Sequence, residues 1–453
     1  MKACRIRWQA GLIVALALCH LANIREQAAG SEIKITVDRA DGMYQLGEEA
    51  TFHISVDGAD EKDCVVCLSN DGYKVIYQGP IKLQDGKGTL RGTLREPGIL
   101  RCRVNSPDGK RWGIAAAAFE PLRIQPSMPK PDDFDEFWSL QKARLAQVSW
   151  NVQIHAEPSA VKEGDAFTVW SISLANIGGT RIRGYLAKPT GAGPFPAVLV
   201  LQNHGGGAWS VPREWVTNFA GKGFLAMAIN SHDVENGREE DYYRRLNEGP
   251  LASYTLRGFM NRETYYFKRM YLSIVRSIDY LVSLPEWDQK SLILTGRSQG
   301  GGLSLVGAGL DPRVTGLVAA VPALCEHSGP AFGRPAGWPR LVPNDEHDYG
   351  DAPNYAPTGD GHSSPSKVVL NVARYYDAVN FARNIKCPAV IALGLVDRAC
   401  PPTTVYSAYN VLTSSKTLVV APMLGHDADK NPEYRRDARI IEFARRSGSR
   451  VRE

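Results

Sequence analysis

Cysteine, net charge and long apolar runs are all scarce in this sequence of 453 residues. Its eight cysteines are too few for a disulfide-dense scaffold. A formal net charge of +5 does not favour a nucleic-acid or membrane-surface partner, and no segment is long and apolar enough to predict a membrane-spanning helix. The sequence also contains no P-loop, dinucleotide fingerprint or zinc-ligand spacing. We therefore predict a globular protein without cofactor, metal or membrane insertion.

The first 30 residues have the layout of a secretory signal peptide. A basic start precedes the short apolar run from Leu12 to Leu18, and the small residues Ala28-Ala29-Gly30 offer a cleavage site. We expect a secreted or periplasmic protein. Removing residues 1–30 takes away four cations and one anion, which leaves a net charge of +2.

The pair Cys64 and Cys67 has C-x-x-C spacing but falls in a strand-like run. Residues three apart on a strand point to opposite faces, so a metal or redox pair is not expected. A disulfide from one of them to Cys102 stays open for an oxidising compartment.

Residues 31–125 consist of short β-like runs separated by Asp-Gly turns. This spacing predicts a small immunoglobulin-like β-sandwich domain. The predicted strands are Ile33 to Val37, Thr51 to Val56, Cys64 to Leu68, Thr89 to Leu94 and Leu100 to Val104.

A proline-rich linker follows, and residues 126–453 alternate between apolar strands and helical patterns. That order predicts a mostly parallel sheet flanked by helices. The predicted strands are Ala166 to Leu174, Ile182 to Leu186, Phe195 to Leu201, Phe224 to Ile229, Ser291 to Leu294, Val314 to Val321, Pro388 to Leu395 and Lys416 to Ala421. The predicted helices include Asn261 to Ser283, Thr404 to Leu412 and Arg435 to Arg445. Residues 326–366 read as an insertion over one end of the sheet.

The stretch Gly296-Arg297-Ser298-Gln299-Gly300 joins a predicted strand to a helix start and has the G-x-S-x-G form of a nucleophile elbow. Asp397 lies at the end of the apolar strand Pro388 to Leu395, and His426 follows the last predicted strand, Lys416 to Ala421. The order Ser298, Asp397, His426 is that of α/β-hydrolases, in which strand ends meet at one edge of the sheet. We predict a catalytic triad in which His426 takes the Ser298 proton and Asp397 orients His426.

A core strand runs into His204-Gly205-Gly206-Gly207, a motif that lipases and esterases use at the oxyanion hole. We assign the oxyanion hole to the N–H groups of Gln299 and Gly206. His204 reads as a structural histidine.

Aromatic residues near the sheet edge are candidates for stacking on sugar rings, and we predict substrate binding by Trp209 and Trp338, with Trp215 as a further candidate. The acidic run Asp345 to Asp348 reads as a solvated loop and not as a metal site.

Several linked motifs occur in a fixed order along residues 130–445. They are Pro131 to Trp138, Gly258 to Met260, Thr264 to Tyr266, Ser298 to Leu303, Asp311 to Val314, Val321 to Cys325, Tyr376 to Ala382, Ile385 to Pro388 and Cys400 to Val405. In this order they resemble the acetyl xylan esterase/cephalosporin C deacetylase family, carbohydrate esterase family 7. The resemblance implies an α/β-hydrolase fold and removal of acetyl groups from xylan-type oligosaccharides and small acetate esters. Ser298, Asp397 and His426 fall on the family's triad.

The chain departs from the family in four places. Asn230-Ser231-His232-Asp233 stands where the family has Arg-Gly-Gln, and His426-Asp427 replaces its His-Glu pair. The loop 326–366 differs, and residues 31–125 are an addition. These departures leave the hydrolytic residues intact and bear on the substrate and on the family's ring-like homo-oligomer.

The sequence therefore predicts a secreted serine carboxylesterase that acts through an acyl-enzyme on acetylated oligosaccharides or small esters. One alternative is an oligopeptidase-like or other-acyl hydrolase whose β domain covers the site. A second is a non-catalytic carbohydrate-binding protein. Acetyl, butyryl and aminoacyl substrates separate the first from the prediction, and fluorophosphonate labelling of Ser298 tests the second.

Overall fold

A computed structural model describes residues 33–56, 64–204, 209–342 and 367–452. Within these residues, the N-terminal region forms a three-stranded sheet of order β1-β3-β6 and a five-stranded sheet of order β2-β8-β7-β4-β5. The strands are β1 (Ile33–Val37), β2 (Met43–Tyr44), β3 (Ala50–Val56), β4 (Val65–Asn70), β5 (Lys74–Pro80), β6 (Lys87–Gly92), β7 (Gly98–Asn105) and β8 (Trp112–Phe119).

The two N-terminal sheets bury one shared apolar core. Strand β3 alternates, with Ala50, Phe52, Ile54 and Val56 buried and the residues between them more open. This period of two is what a sheet with one solvent face requires. Side chains from both sheets join the same cluster, so the region is a β-sandwich.

The three described cysteines of this region form no disulfide. The sequence left open a disulfide from Cys64 or Cys67 to Cys102, and in the described structure these cysteines are not bridged. Cys102 lies on β7 inside the sandwich, and burial raises the pKa of its thiol to about 12. A thiol held neutral in this way is a poor nucleophile and behaves as a small apolar side chain.

The remaining described strands form one nine-stranded sheet of order β17-β16-β15-β14-β12-β13-β11-β10-β9. Neighbours from β17 to β13 pair in parallel, while β9, β10 and β11 form an antiparallel edge. The strands are β9 (Gln153–Ala156), β10 (Phe167–Ala175), β11 (Arg181–Pro189), β12 (Phe195–Leu201), β13 (Leu225–Asn230), β14 (Trp287–Arg297), β15 (Gly316–Ala320), β16 (Ala389–Gly394) and β17 (Lys416–Ala421).

Helices cover both faces of this sheet. In the described ranges they are α1 (Phe134–Ala146), α2 (Glu214–Gly221), α3 (Glu240–Glu248), α4 (Phe267–Ser283), α5 (Gln299–Leu310), α6 (Lys367–Tyr376), α7 (Ala378–Ala382), α8 (Pro402–Asn410) and α9 (Arg436–Arg446). Short 3-10 helices lie at Pro121–Arg123, Pro158–Ala160, Ile177–Gly179, Tyr254–Leu256, Gly329–Phe332 and Ala428–Lys430. Helices α1, α4 and α5 pack on one face, and α2 and α9 pack on the other.

Because helices cover both faces, the central strands are buried along their whole length, as in β13 and β16. The predicted fold class, an α/β-hydrolase preceded by a small all-β region, is confirmed. Among the described helices, none has the length and apolarity needed to cross a bilayer.

Helix α4 begins later than predicted, at Phe267 instead of Asn261. The Asn261 side chain accepts the Glu263 N–H at 2.8 Å, and the Asn261 carbonyl accepts the Thr264 N–H at 3.1 Å. Such local bonds offer the backbone a turn in place of a first helical turn. Met270, Ile274, Ile278 and Leu281, which recur at helical spacing, are fully buried along one face of the helix.

Candidate active site

Ser298 occupies a sharp turn between β14 and α5, with φ 58° and ψ −121°. Its N–H donates to the Ala320 carbonyl at 2.9 Å. A Cβ at Gly296 would lie 2.4 Å from the Gly300 carbonyl, and a Cβ at Gly300 would lie 2.2 Å from the Leu201 oxygen. Both positions therefore require glycine, and the turn presents Ser298 at the carboxyl edge of the parallel strands.

The three residues predicted as a triad come together at this edge. His426 Nε2 lies 2.9 Å from Ser298 Oγ, and His426 Nδ1 lies 2.8 Å from Asp397 Oδ2. Because a carboxylate accepts, we assign the imidazole proton to Nδ1, which leaves Nε2 free to accept from the Ser298 hydroxyl. The arrangement can transfer the serine proton to the histidine.

The loop after β16 fixes the Asp397 carboxylate. Its Oδ1 accepts the N–H groups of Ala399 at 2.8 Å and Cys400 at 2.9 Å, while Oδ2 faces the histidine. At the end of the strand, a Cβ on Gly394 would lie 2.1 Å from the Leu424 oxygen, so the two loops approach closely only because this residue is glycine. Both carboxylate oxygens are thereby held.

Charge at the site favours a protonated histidine. Burial lowers the pKa of His426, but the attraction of the Asp397 carboxylate outweighs burial and places that pKa well above its ordinary value. Burial raises the pKa of the neighbouring Cys400 thiol. The ligand atoms of these three residues lie within 4.8 Å of one another, so they could hold a metal ion. Such an ion would have to replace the hydrogen bond between His426 and Asp397.

Arg297, the residue before the candidate nucleophile, holds the histidine loop. Its Nη2 donates to the His426 carbonyl at 2.6 Å and to Asp427 Oδ1 at 3.0 Å, and its Nε donates to Asp429 Oδ1 at 3.0 Å. The nucleophile turn and the histidine loop are therefore tied together by one side chain. Asp427, which departs from the family pattern, is part of this tie.

The predicted oxyanion-hole residue Gln299 is fully buried and begins α5, where first-turn N–H groups have no partner within the helix. Its Oε1 accepts the Tyr254 hydroxyl at 2.6 Å, and His204 Nδ1 lies 3.0 Å from the same hydroxyl. His204 thus hydrogen-bonds to a side chain from another part of the fold, which suits a structural residue. The second predicted donor, Gly206, lies outside the described residues.

The three tryptophans lie in different environments, and only Trp209 departs from the prediction. Trp209 is 3% exposed and packs edge-on against His204 and Tyr254, so neither of its faces is open to a sugar, and the structure places it in the core. Trp338 is partly exposed and lies against the His204 ring at 4.7 Å between centroids. Trp215 lines a cavity of about 620 Å³ together with Gly296 and Arg297, on the side of the sheet that carries α2 and α9.

Sequence reasoning did not find Tyr254 or the role of Arg297. The first lies in a short 3-10 helix just before the Gly258 to Met260 motif but outside it. The second occupies a variable position of G-x-S-x-G, where the pattern itself carries no information. The acidic run Asp345 to Asp348 lies outside the described residues, so its role stays a prediction.

The sheet topology and the contacts of Ser298, His426 and Asp397 define an α/β-hydrolase with a serine–histidine–aspartate arrangement.

The comparisons with known proteins narrow this class. Residues 120–446 match the acetyl xylan esterase family. The chain is 33% identical over 405 residues to the acetyl esterase Axe7A of Xylanibacter ruminicola, a match that covers 88% of this chain and 87% of that protein. Solved acetyl xylan esterases from Paenibacillus sp. R4 and Thermoanaerobacterium sp. JW/SL YS485 each superpose with a TM-score of 0.58 at 23% identity, covering 72% of this chain and 98% of theirs. The chain belongs to the acetyl xylan esterase family and is a carboxylic ester hydrolase.

Proposed function

We propose that this protein removes O-acetyl groups from xylan-type oligosaccharides and related small acetate esters, with Ser298 as nucleophile. The observation that carries the proposal is the continuous hydrogen-bonded chain from Ser298 through His426 to Asp397. Membership of the acetyl xylan esterase family supports the acetyl group and the glycan. The curated relative, an acetyl esterase by name, supports the acetyl group over most of the chain.

The reaction follows from the positions of these groups. His426 Nε2 takes the Ser298 proton as the hydroxyl oxygen attacks the acetyl carbonyl carbon. The resulting oxyanion is bound by the Gln299 N–H, with Gly206 as the second predicted donor. His426 then gives the proton to the leaving sugar oxygen, which releases the alcohol and leaves an acetyl-serine. Water, deprotonated by His426, releases acetate and restores the serine.

Asp397 keeps the imidazole in the productive tautomer throughout. Its carboxylate accepts the Nδ1 proton and stabilises the imidazolium that forms in each half-reaction. The same attraction raises the pKa of His426, which helps it to accept the serine proton.

The test compares Ser298→Ala with Ser277→Ala, a buried serine on α4 whose hydroxyl donates to the Ser273 carbonyl. We expect Ser298→Ala to lower acetate release from acetylated xylo-oligosaccharides by at least about 10³-fold, and Ser277→Ala to stay within a few-fold. Unchanged hydrolysis by Ser298→Ala would overturn the proposal.

A substrate panel separates the finer possibilities. Acetylated xylo-oligosaccharides are compared by kcat/KM in the wild type with acetyl, butyryl and aminoacyl esters and with cephalosporin C. Preference for acetylated oligosaccharides supports the glycan assignment. Preference for aminoacyl substrates would indicate the peptidase-like alternative and contradict it.

We also propose that the protein is exported, on the signal-like pattern of residues 1–30, which lie outside the described residues. Mass spectrometry of the mature protein from its native host tests this. A mature N-terminus near residue 31 is expected, and an intact Met1 or a Met-removed start would contradict export by cleavage.

A further inference from the structure

Arg101 connects the β-sandwich to the candidate active site. It is a residue of β7, yet its side chain is only 2% exposed and reaches the other region of the molecule. Its Nη2 donates to the main-chain oxygen of Asp397 at 2.8 Å. The residue bonded in this way is the one whose carboxylate holds His426.

A buried carboxylate of the same sandwich completes the contact. Asp71 is fully buried at its side chain and forms an ion pair with Arg101 through Oδ1. Its second oxygen, Oδ2, accepts the N–H of Thr403 at 2.9 Å, in the first turn of α8. Arg101 and Asp71 therefore hydrogen-bond to both ends of the segment 397–403, at the carbonyl of Asp397 and at the amide of Thr403.

The backbone of the sandwich is shaped for this pair. Asp71 itself has φ 51°, in the left-handed region. Gly72, with φ 76°, follows it, and a Cβ there would lie 2.6 Å from Arg101 Nη1. A side chain at this position would push the guanidinium away from its partners. The turn between β4 and β5 thus accommodates Arg101 as well as reversing the chain.

The segment 397–403, which Arg101 and Asp71 bind, also orients the Asp397 carboxylate of the candidate triad. The N–H groups of Ala399 and Cys400, both inside it, bind Asp397 Oδ1. A displacement of the segment moves these donors and rotates the carboxylate relative to His426 Nδ1. Misplacement of a catalytic group by about 1 Å is enough to cost on the order of 10²-fold in rate.

Other charge pairs of the sandwich are arranged differently. Arg91 pairs with Glu49 across the solvent face, with 68% and 56% of the side chains exposed. An exposed pair of this kind contributes little to stability. Within the described residues, the side-chain hydrogen bond of Arg91 is the one to Glu49 of the same sandwich. Burying Arg101 and Asp71 together is costly unless each finds further partners, and the partners that they find are Asp397 and Thr403.

We propose that Arg101 and Asp71 are positioning residues for ester hydrolysis, through which the β-sandwich sets the orientation of Asp397 and His426. The inference rests on the proposed function, because it gives the Asp397 carboxylate its catalytic part. It assigns the N-terminal region a role in the reaction, in addition to any role in binding glycans.

The test compares Arg101→Met with Arg91→Met in the full-length protein, using p-nitrophenyl acetate. We expect Arg101→Met to lower kcat by roughly 10- to 100-fold with KM within about two-fold, and Arg91→Met to match the wild type. Arg101→Lys, which keeps the charge and at least one donor, should recover part of kcat. The downfield proton resonance of the His426–Asp397 hydrogen bond should weaken or shift in Arg101→Met and persist in Arg91→Met.

The outcomes separate this proposal from the function itself. If Ser298→Ala remains active, the proposed function fails whatever Arg101 does. If Ser298→Ala is inactive while Arg101→Met keeps wild-type kcat and an unchanged downfield resonance, the positioning role alone is overturned. If Arg101→Met does not fold, the comparison moves to Asp71→Asn, whose amide cannot accept from both Arg101 and the Thr403 N–H. Wild-type kcat and resonance in that variant would overturn the proposal, and a selective loss of kcat would support it.

Discussion

The β-sandwich and the nine-stranded sheet differ in how far some of their strands are buried. Strand β6 of the sandwich alternates between half-buried and exposed residues, and β5 is exposed almost throughout. Strands β13 and β16 of the large sheet are buried at every position. A sheet with one wet face tolerates change on that face, whereas a sheet covered on both faces constrains every side chain. Tolerance is therefore expected on β5 and β6 of the sandwich and intolerance on β13 and β16 of the large sheet.

The comparisons with known proteins divide the chain at the same place. The family match begins at residue 120, and the two solved esterases cover 72% of this chain while almost all of their own lengths is matched. The match to the Xylanibacter ruminicola acetyl esterase is longer than the chain beyond residue 120, so part of the sandwich is aligned with that relative. The catalytic fold recurs without the sandwich, and the contact of Arg101 with Asp397 shows how one member couples the two.

The strongest test of the contrast exchanges one carboxylate for an amide in each region. Asp397 and Asp38 are alike in that one oxygen of each accepts two hydrogen bonds, in Asp38 from Tyr44 Oη at 2.6 Å and the Thr51 N–H at 2.8 Å. In Asp397→Asn the amide would donate toward His426 Nδ1 and force the imidazole proton onto Nε2. That nitrogen could then no longer accept from Ser298, so we expect kcat to fall on the order of 10⁴-fold.

In Asp38→Asn the remaining oxygen can still accept both bonds, so kcat should stay within about two-fold and stability within roughly 0.5 kcal/mol. Steady-state kinetics and thermal unfolding of both variants measure the difference. An equal effect of the two substitutions would mean that the carboxylate of Asp397 has no special part in the reaction.

The residues that the sequence made predictable are those at strand ends. Ser298, Asp397 and His426 each follow an apolar run, and parallel strands bring such ends to one edge. Their meeting could therefore be expected from chain order alone. The strands of the large sheet could be predicted as well, because strands buried on both faces leave continuous apolar runs in the sequence. The predicted bounds of Phe195–Leu201 and Lys416–Ala421 match the structure.

Two kinds of feature could not be predicted from the sequence: the direction in which a side chain points, and contacts between residues far apart in the chain. Position near the sheet edge suggested that Trp209 binds sugars, but the pattern does not tell which way a ring faces, and it faces the core. Arg101 lies 296 residues from its partner Asp397, and no local pattern links them. The strands Lys74–Pro80 and Trp112–Phe119 were not predicted, because one has little burial to impose alternation and the other is largely alanine, a weak strand former.

The next test asks whether the two regions unfold separately. Phe52 is fully buried in the sandwich core, whereas Tyr77 on β5 is 44% exposed. Phe52→Ala should destabilise the sandwich by about 3–5 kcal/mol because it leaves a cavity, and Tyr77→Ala should cost less than about 0.5 kcal/mol. Since Arg101 depends on the sandwich, esterase activity in Phe52→Ala should be lost at the temperature at which the sandwich melts. Circular dichroism and residual activity are followed together, and activity that survives melting of the sandwich would show that the regions are uncoupled.

The smallest effect is expected from a change of pH, which acts on kcat/KM through His426 in the catalytic region. The raised pKa of His426 means that the imidazole is protonated, and unable to accept from Ser298, up to a pH above 6.5. The acid limb of kcat/KM should therefore have its midpoint above pH 6.5 and fall below that midpoint by at most about tenfold per pH unit. A midpoint at or below 6.5 would contradict the raised pKa.

Stability should move the other way over the same interval. A histidine whose pKa is higher in the folded than in the unfolded protein stabilises the fold fully below the unfolded pKa, and this contribution is lost as pH rises through the folded pKa. The pair of His426 with Asp397 thus becomes catalytically competent as it ceases to stabilise the fold. In Asp397→Asn the attraction that raises the pKa is gone, so both the acid limb of the residual activity and this pH-dependent part of stability should shift to lower pH. Thermal unfolding and kcat/KM measured at the same series of pH values check both shifts, and Asp38→Asn, altered only in the sandwich, should retain the wild-type midpoints.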